Sequence, residues 1–354
     1  MRRLSPCLQR NARGTPLYNA SMSIRVLLVG LGSIGAAVAR QFDGRKGFHI
    51  VGAIDIDPHK LGQDAGDVLQ IGRRLRVAVS DDLNRTVKKT KPHIAVVCTS
   101  SSLRKVLPQF LQILKHRLPI VTTTEEAVYT ATRNRALVRQ LDAAARKAKV
   151  AVLGTGANPG FIMDALPIAL TAVCARVDAI AVTRIQDARV RRLPFQQKIG
   201  AGLTREQFRR GVEKGALRHV GFTESIQMIA DAVGWKVDRI TDEIEPKMAT
   251  ATIESELLAV DPGYVCGIVQ DGVGYVGDEP RIRLHLEAYL GAPESFDSVV
   301  IEGSPRIEST IVGGVHGDIA TAAMVVNSIP AVITSPPGFR TMRDMRLPSF
   351  VRAV

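Results

Sequence analysis

The sequence has little of what holds metals or staples small folds. Its four cysteines, Cys7, Cys98, Cys174 and Cys266, are scattered over 354 residues, and no C-x-x-C pair occurs. Such spacing excludes a disulfide scaffold and a thiolate zinc site, and it fits a reducing compartment. H-x-x-H, H-E-x-x-H and acidic calcium-loop patterns are missing too, so no metal is expected. Aromatic residues make up 5% and are not interleaved with basic ones, which leaves nucleic-acid bases no stacking platform. No stretch approaches the roughly 18 to 20 apolar residues of a membrane-spanning helix. Internal repeats and long low-complexity tracts are also absent. At 45% hydrophobic and 23% charged, the chain is globular by composition, and its length implies about two domains.

Acidic residues are absent from positions 1–21, which hold Arg2, Arg3, Arg10 and Arg13. This loosely matches an organelle-targeting segment. The alternative is an upstream extension of the reading frame, because Met22 directly precedes an apolar run where a fold can begin. Residues 1–22 are therefore set apart from the fold. The expected location is cytoplasmic, with organelle import as the alternative. Net charge is +13, and segment 184–218 carries ten Lys or Arg against three acids. Clustered cations can neutralise phosphates. Without interleaved aromatics, a solvated basic face or a pocket for a small anion is the expected use, with no nucleic-acid or membrane partner.

Residues 24–29 form a short β-branched apolar run ending at Gly30-Leu31-Gly32-Ser33-Ile34-Gly35, and 36–42 reads as a helix. A G-x-G-x-x-G framed by strand and helix is a dinucleotide fingerprint. Gly30 permits the tight turn, Gly32 lets backbone approach a pyrophosphate, and Gly35 lets helix and strand pack closely. With Ser33 and Ile34 they open a helix whose free N–H groups and positive dipole end suit phosphates. A strand over 49–54 ends at Asp55, twenty residues past Gly35, where an acid can bind the adenosine ribose hydroxyls. Asp55 repels a 2′-phosphate and so favours NAD. Lys60, Arg73 and Arg74 can offset that, so NAD and NADP both stay open. Strands at 76–79, 93–98, 119–122 and 150–153 alternate with helices at 102–115 and 132–147, the pattern of a doubly wound parallel sheet. Ligands sit beyond the carboxyl ends of such strands. Thr99, Ser100 and Ser101 are thereby assigned to the cofactor, and the segment 122–126 to its vicinity.

After Gly156-Ala157-Asn158-Pro159-Gly160 the pattern changes. An apolar helix over 161–173 is followed by strands at 177–187, 235–251, 264–275, 281–290 and 296–302, with helices at 204–214 and 224–233. Strands in succession without crossover helices indicate a largely antiparallel sheet. A last apolar helix over 318–328 returns to the first domain or lies across the cleft, and the tail from Pro336 reads as irregular. The expected fold class is α/β: an N-terminal Rossmann doubly wound parallel sheet plus a C-terminal α+β domain with a mainly antiparallel sheet. Its parts are an extension (1–22), an NAD(P)-binding domain (23–155), a substrate and dimerisation domain (156–312), and a closing helix and tail (313–354).

Glu125 and Glu126 follow a parallel strand where a substrate would lie, and a carboxylate there can bind an ammonium or take a proton from an amine or water. Adjacent residues cannot easily share one pocket, so one is expected to be chemical and the other structural. Arg184 and Gln186 share a strand face by the two-residue period, and Arg184 can bind a carboxylate bidentately. Arg191, Arg192 and Lys198 are further cationic candidates, with a solvated basic face as the alternative. His285 lies in an alternating strand and His316 in a glycine-rich turn; each is either a pocket residue or a surface histidine. Cys98 has no histidine placed to activate it and reads as an inert thiol.

Six segments together resemble the 2,4-diaminopentanoate dehydrogenase family, with its related amine dehydrogenases, within the dihydrodipicolinate-reductase-like fold. They are the glycine fingerprint 30–35, Ala53-Ile54-Asp55-Ile56-Asp57, Thr122-Thr123-Thr124-Glu125-Glu126, Gly156-Ala157-Asn158-Pro159-Gly160-Phe161, Lys198-Ile199-Gly200-Ala201-Gly202, and the run from Gly317-Asp318-Ile319-Ala320-Thr321 to Pro330. The resemblance covers about 23–345. It implies NAD(P)-dependent oxidative deamination of an amine or diamino acid, or the reverse reductive amination, by a homodimer. On the matched segments it implies Glu125 as the residue that handles amine and ammonia, with Asn158 in the same pocket. It further implies Arg184, Gln186, His285 and Thr321 as substrate-site residues. Two departures touch the site: Thr124 stands where the family often has cysteine, and Ala127-Val128-Tyr129-Thr130 lacks the family's early proline. Dihydrodipicolinate reductase itself is disfavoured, because its paired-histidine motif is missing. Another imine or aldehyde reductase of this fold, and a non-catalytic NAD(P)-binding sensor, stay open on sequence.

Overall fold

The computed structural model describes residues 23–130 and 134–351. The expected extension 1–22 and the first residues of the helix expected from 132 lie outside them. The chain divides into two compact units, one from the N-terminal part through Phe161 together with the stretch from Gly317 onward, the other Ile162–His316.

The first unit alternates strand and helix: β1 (Ile24–Val29), α1 (Ser33–Asp43), β2 (Phe48–Ile54), α2 (Ala65–Val68), β3 (Val79–Ser80), α3 (Leu83–Thr90), β4 (Ile94–Val97), α4 (Leu103–Leu114), β5 (Ile120–Thr122), α5 (Arg135–Ala148) and β6 (Ala151–Gly154). Its seven strands run in the order β15-β6-β5-β4-β1-β2-β3, all pairs parallel, with β15 introduced below. Helices on both faces bury the central strands, so β4 and β6 are apolar at every position. Val97, Phe110, Ile113, Ile120 and Leu141 form part of one buried core. The chain moves outward through β2 and β3 and then crosses back to β4, so β1 and β4 flank the point where strand order reverses. That is where open α/β sheets bind ligands.

The second unit holds α6 (Ala165–Leu170), β7 (Arg176–Asp187), α7 (Leu193–Lys198), α8 (Arg205–Glu213), α9 (Phe222–Val233), β8 (Arg239–Met248), β9 (Ile253–Glu254), β10 (Ala259–Val260), β11 (Val265–Val276), β12 (Glu279–Tyr289), β13 (Phe296–Ser304) and β14 (Ile307–Val312). Its main sheet has the order β14-β13-β7-β12-β11-β8. Every pair in it is antiparallel except β7 with β12. α9 covers one face: Phe222 and Ile226 occupy the space above Gly272. The chain then re-enters the first unit as α10 (Gly317–Thr334) and β15 (Gly338–Arg340).

Several local expectations are corrected. The strand expected at 76–79 is only Val79–Ser80, because Arg76 takes a left-handed φ of 57° that no strand accommodates. The apolar helix expected over 161–173 shortens to α6 and a 3₁₀ turn, Thr171–Val173. It starts late because the Asp164 carboxylate accepts the Ala165 N–H at 2.6 Å. The tail is not wholly irregular, since β15 extends the parallel sheet. The last helix belongs to the first unit. It is the one described helix long and apolar enough to cross a membrane, with a mean hydropathy of 1.3, and it packs on α1, β4, β5 and β6.

Candidate functional site

Loop chemistry at the carboxyl ends of β1 and β2 builds a dinucleotide cradle in the first unit. Gly30 turns with φ +89°, and a Cβ there would meet the Cys98 carbonyl oxygen at 2.7 Å. A Cβ on Gly35 would stand 2.1 Å from the Gly30 carbonyl oxygen, so helix and strand backbones touch. Over Gly32 the space is open, and Gly32 and Ser33 are exposed while Ile34 is half-buried. No side chain caps α1. Its first N–H groups therefore face outward above Gly32, as a pyrophosphate requires.

Asp55 is tied to this loop. Its Oδ2 accepts the Leu31 N–H at 2.8 Å and pairs with Lys60 Nζ at 3.0 Å, while Oδ1 accepts the Asp57 N–H at 3.0 Å. Burial disfavours its charge, but the two backbone donors and Lys60 outweigh burial and hold its pKa below the ordinary carboxylate value. Arg73 and Arg74 pair instead with Asp43 and Asp67. Ile56, beside Asp55, is 85% exposed. An exposed isoleucine at that strand end offers an apolar face to a purine. Sequence reasoning passed over it because a single apolar residue between Asp55 and Asp57 carries no periodic signal. These residues fit a nicotinamide dinucleotide in space, donors and charge.

The loop after β4 carries Thr99, whose hydroxyl donates to Gln109 at 2.9 Å, and Ser100, whose hydroxyl accepts the Ser102 N–H at 3.2 Å. Ser101 accepts the Glu126 N–H at 3.2 Å through its carbonyl. Burial pushes the Cys98 thiol up to about 12, against a weaker opposing effect of Thr123, so no thiolate is available for catalysis.

Glu125 and Glu126 open a 3₁₀ turn, Glu125–Ala127, directly after β5. Buried Thr122 and Thr124 anchor it: their hydroxyls bond at 2.9 Å, and Thr122 donates to the Val97 carbonyl at 2.9 Å. Glu126 Oε2 accepts the Leu103 N–H at 2.9 Å and so caps α4, where Ser102 provides no side-chain cap. Glu125 is half-buried at the strand end. The loop 156–160 is held by α10: the Ala157 N–H donates to Thr321 Oγ1 at 3.1 Å, and Gly156 packs on the Thr321 methyl. Asn158 lies half-buried on that loop.

In the second unit Arg184 and Gln186 are buried on one face of β7 and both donate to the Val315 carbonyl, Gln186 at 2.8 Å. Arg191 Nη1 donates to Gln186 Oε1 at 2.8 Å. Asp297 lies beside Arg184, Nη1 to Oδ1 3.4 Å. Burial pushes the Arg184 guanidinium down to about 10 despite Asp297, with Arg191 adding to the fall. Burial likewise raises Asp297 against the pull of Arg184. Much of the surrounding basic segment is paired: Arg189 with Asp187, Arg209 and Arg210 with Glu206, and Arg218 with Asp242.

His285 does not join this group. It pairs in register with Thr183, one residue out of step with Arg184, and so projects from the opposite sheet face. There its Nδ1 meets Asp271 at 2.7 Å and its Nε2 meets Glu287 at 3.3 Å. His316 also stays outside the group's hydrogen bonds, its buried Nδ1 without a partner. Among the described residues no cluster of His, Cys, Asp and Glu could hold a metal ion.

The chain is similar to known proteins over both units. A family model described as 2,4-diaminopentanoate dehydrogenase C-terminal domain matches residues 161–353. Another, described as dihydrodipicolinate reductase, N-terminus, matches residues 24–153. The chain is 32% identical over 332 residues to the 2,4-diaminopentanoate dehydrogenase of Acetoanaerobium sticklandii, covering 92% of this chain and 94% of that relative. It is 23% identical to an amine dehydrogenase of Streptomyces virginiae, over 92% and 96% of the two chains. The solved amine dehydrogenase of Mycobacterium smegmatis superposes with a TM-score of 0.84 at 26% identity, over 95% of this chain and 100% of that one. These matches span both units, and the chain belongs to the 2,4-diaminopentanoate dehydrogenase family of nicotinamide-dependent oxidoreductases.

Proposed function

We propose that the chain catalyses NAD(P)-dependent oxidative deamination of an amine or diamino acid, or the reverse reductive amination, with Glu125 as the proton-handling residue. The observation that carries this is the position of Glu125, half-buried on the turn directly after β5, at the carboxyl edge of the parallel sheet where ligands bind. When bound, the nicotinamide accepts the hydrogen and electron pair that leave the substrate carbon. Glu125 withdraws the ammonium proton beforehand, which frees the nitrogen lone pair, and passes that proton to solvent; it then takes a proton from the water that adds to the C=N carbon and returns it to the nitrogen, which leaves as ammonia when the C–N bond breaks. Asn158 on the loop 156–160 and Thr321 on α10 remain substrate-site candidates of the first unit, Arg184 and Gln186 on β7 those of the second, and His285 is not retained.

NAD is the favoured cofactor of this reading, because the ionised Asp55 repels a 2′-phosphate. Lys60, on the same carboxylate, makes NADP a usable second. A homodimer formed through the half-exposed sheet face of Ile185, Val269 and Val300 completes it, in a reducing, cytoplasmic setting where Cys98, Cys174 and Cys266 stay free thiols. Sedimentation in solution tests the dimer. The function is tested by NAD(P)H formation on a panel of amines including 2,4-diaminopentanoate, beside the Glu125→Gln variant. Turnover lost in the variant with NAD(P)H binding retained is the expected result. Absence of turnover on every amine, with cofactor bound, sends the reading back to an imine or aldehyde reductase.

A further inference from the structure

The amino edge of the parallel sheet, opposite the edge that binds ligands, is built by helix-to-strand junctions. β4, β5 and β6 are neighbours in register, Ala95 beside Ile120 and Ile120 beside Val152, so α3, α4 and α5 deliver the chain to one edge at three adjacent points. Each junction contains one residue in the left-handed region: Lys91 at φ 44°, Arg117 at φ 56° and Lys149 at φ 60°. Glycine is the ordinary occupant of that conformation after a helix, because a Cβ is crowded there. The same chain follows this rule elsewhere, with Gly215 (φ 69°) after α8 and Gly234 (φ 78°) after α9. At the amino edge it places a long cation instead, at three junctions in succession. All three are exposed, and among the described residues none of them is in an ion pair.

The helix dipole does not require these three cations. A base in the last turn already complements it, and α3 has Lys88 and Lys89 there, α5 Arg146 and Lys147. From Leu83 to Thr124 the sequence holds eight Lys or Arg and no Asp or Glu. Asp142 of α5 is occupied by Arg146 at 2.7 Å. Exposed Arg25 extends the row to β1, beside β4, its guanidinium donating to the Thr90 and Lys91 carbonyls. Across four adjacent strands the row is about 14 Å long. The segments 88–93, 115–119 and 146–150 contain no aromatic residue, so bases have nothing to stack on. None of the exposed large apolar side chains lies in these segments, so they offer nothing to insert into a lipid layer. A straight row of cations without aromatic or apolar neighbours fits a linear polyanion held by its phosphates alone. We propose that this edge binds the phosphate backbone of a nucleic-acid duplex, without regard to base sequence. The dinucleotide cradle stands at the opposite edge of the same sheet, so cofactor and polyanion are bound together without competing.

The test is fluorescence anisotropy of a labelled duplex, as DNA and as RNA, with the full-length protein at about 50 to 200 mM KCl. Wild-type binding is expected to show a slope of log K against log salt of about −3.6 or steeper, four phosphates at about −0.9 each. Combining Lys91→Gly, Arg117→Gly and Lys149→Gly removes three charges and relieves three left-handed side chains. This triple variant is expected to melt within a few degrees of the wild type and to keep NADH binding. It should weaken duplex binding by about tenfold to a hundredfold at ~0.1 M salt and flatten the slope by about 3. The corresponding asparagine triple, which also accepts the left-handed region, shows the same loss and guards against a loosening by glycine. Arg205→Gln, Lys214→Gln and Lys236→Gln together alter the net charge equally at exposed positions of the second unit, and leave binding within about twofold. An equal loss in that control, no loss in the glycine and asparagine triples, or no wild-type binding overturns the proposal. Tighter binding to phosphatidylserine vesicles or to polyglutamate than to either duplex, at the same salt, overturns the nucleic-acid assignment. Tighter binding to one duplex than to these supports it, and the stronger of DNA and RNA names the source of the phosphates.

Discussion

Glu126 Oε2 accepts the Leu103 N–H at 2.9 Å, so the second of two adjacent glutamates is engaged as the cap of α4. Substituting each separately therefore gives different losses. Glu126→Gln weakens the cap and lowers stability by about 0.5 to 2 kcal/mol, read by thermal unfolding, with kcat largely kept. Glu125→Gln leaves stability near that of the wild type and lowers kcat by about a hundredfold to ten-thousandfold, the usual range for a lost general base. The reverse pattern would exchange the two roles.

The glycine fingerprint contains two different constraints. A Cβ on Gly35 would sit 2.1 Å from the Gly30 carbonyl oxygen, backbone against backbone. Gly35→Ala should destabilise the fold by about 1 to 3 kcal/mol, the range for overpacking, in the absence of any cofactor. Gly32 has open space above it. Gly32→Val should leave the apo protein as stable as before and weaken NADH binding, measured by fluorescence titration.

Lys60 and Asp55 share one oxygen, Oδ2, at 3.0 Å. Removing the cation by Lys60→Ala exposes a 2′-phosphate to the bare carboxylate, so the KM for NADP should rise by roughly tenfold while that for NAD changes little, from about 1.4 kcal/mol of lost charge complementarity. Asp55→Asn should move the preference the other way. Unchanged cofactor ratios in both variants would remove the pair from the ribose site.

Burial, then the neighbouring Lys198, Arg184 and Arg191, depresses the pKa of His219 well below its ordinary value, and this fixes the sign of a pH effect. The unfolded chain binds a proton at about 6.5 that the folded histidine refuses. Its contribution to stability is therefore complete above that pH and is lost as pH falls toward the folded pKa. Urea unfolding of the wild type should show stability declining from pH 7 to pH 5, and His219→Asn should decline less steeply.

What the sequence determined by itself was local chemistry. Gly30, Gly32, Gly35 and Asp55 announce their roles because a tight turn, a close backbone approach and an acid after the second strand are decided within about thirty residues. Strand and helix alternation likewise reveals the parallel sheet, since a strand buried on both faces must be apolar throughout. The tertiary structure decided whatever depends on partners far along the chain. Nothing in Glu125-Glu126 tells which carboxylate reaches Leu103, because that N–H comes from another helix. His285 left the company of Arg184 because register between β7 and β12, about a hundred residues apart, is set by side-chain packing and not by either strand alone. β15 joined the sheet because a three-residue edge strand carries too little periodicity to be read. His219 went unnoticed in sequence because its burial and the Gln270 side chain that holds its backbone come from elements brought together only by folding.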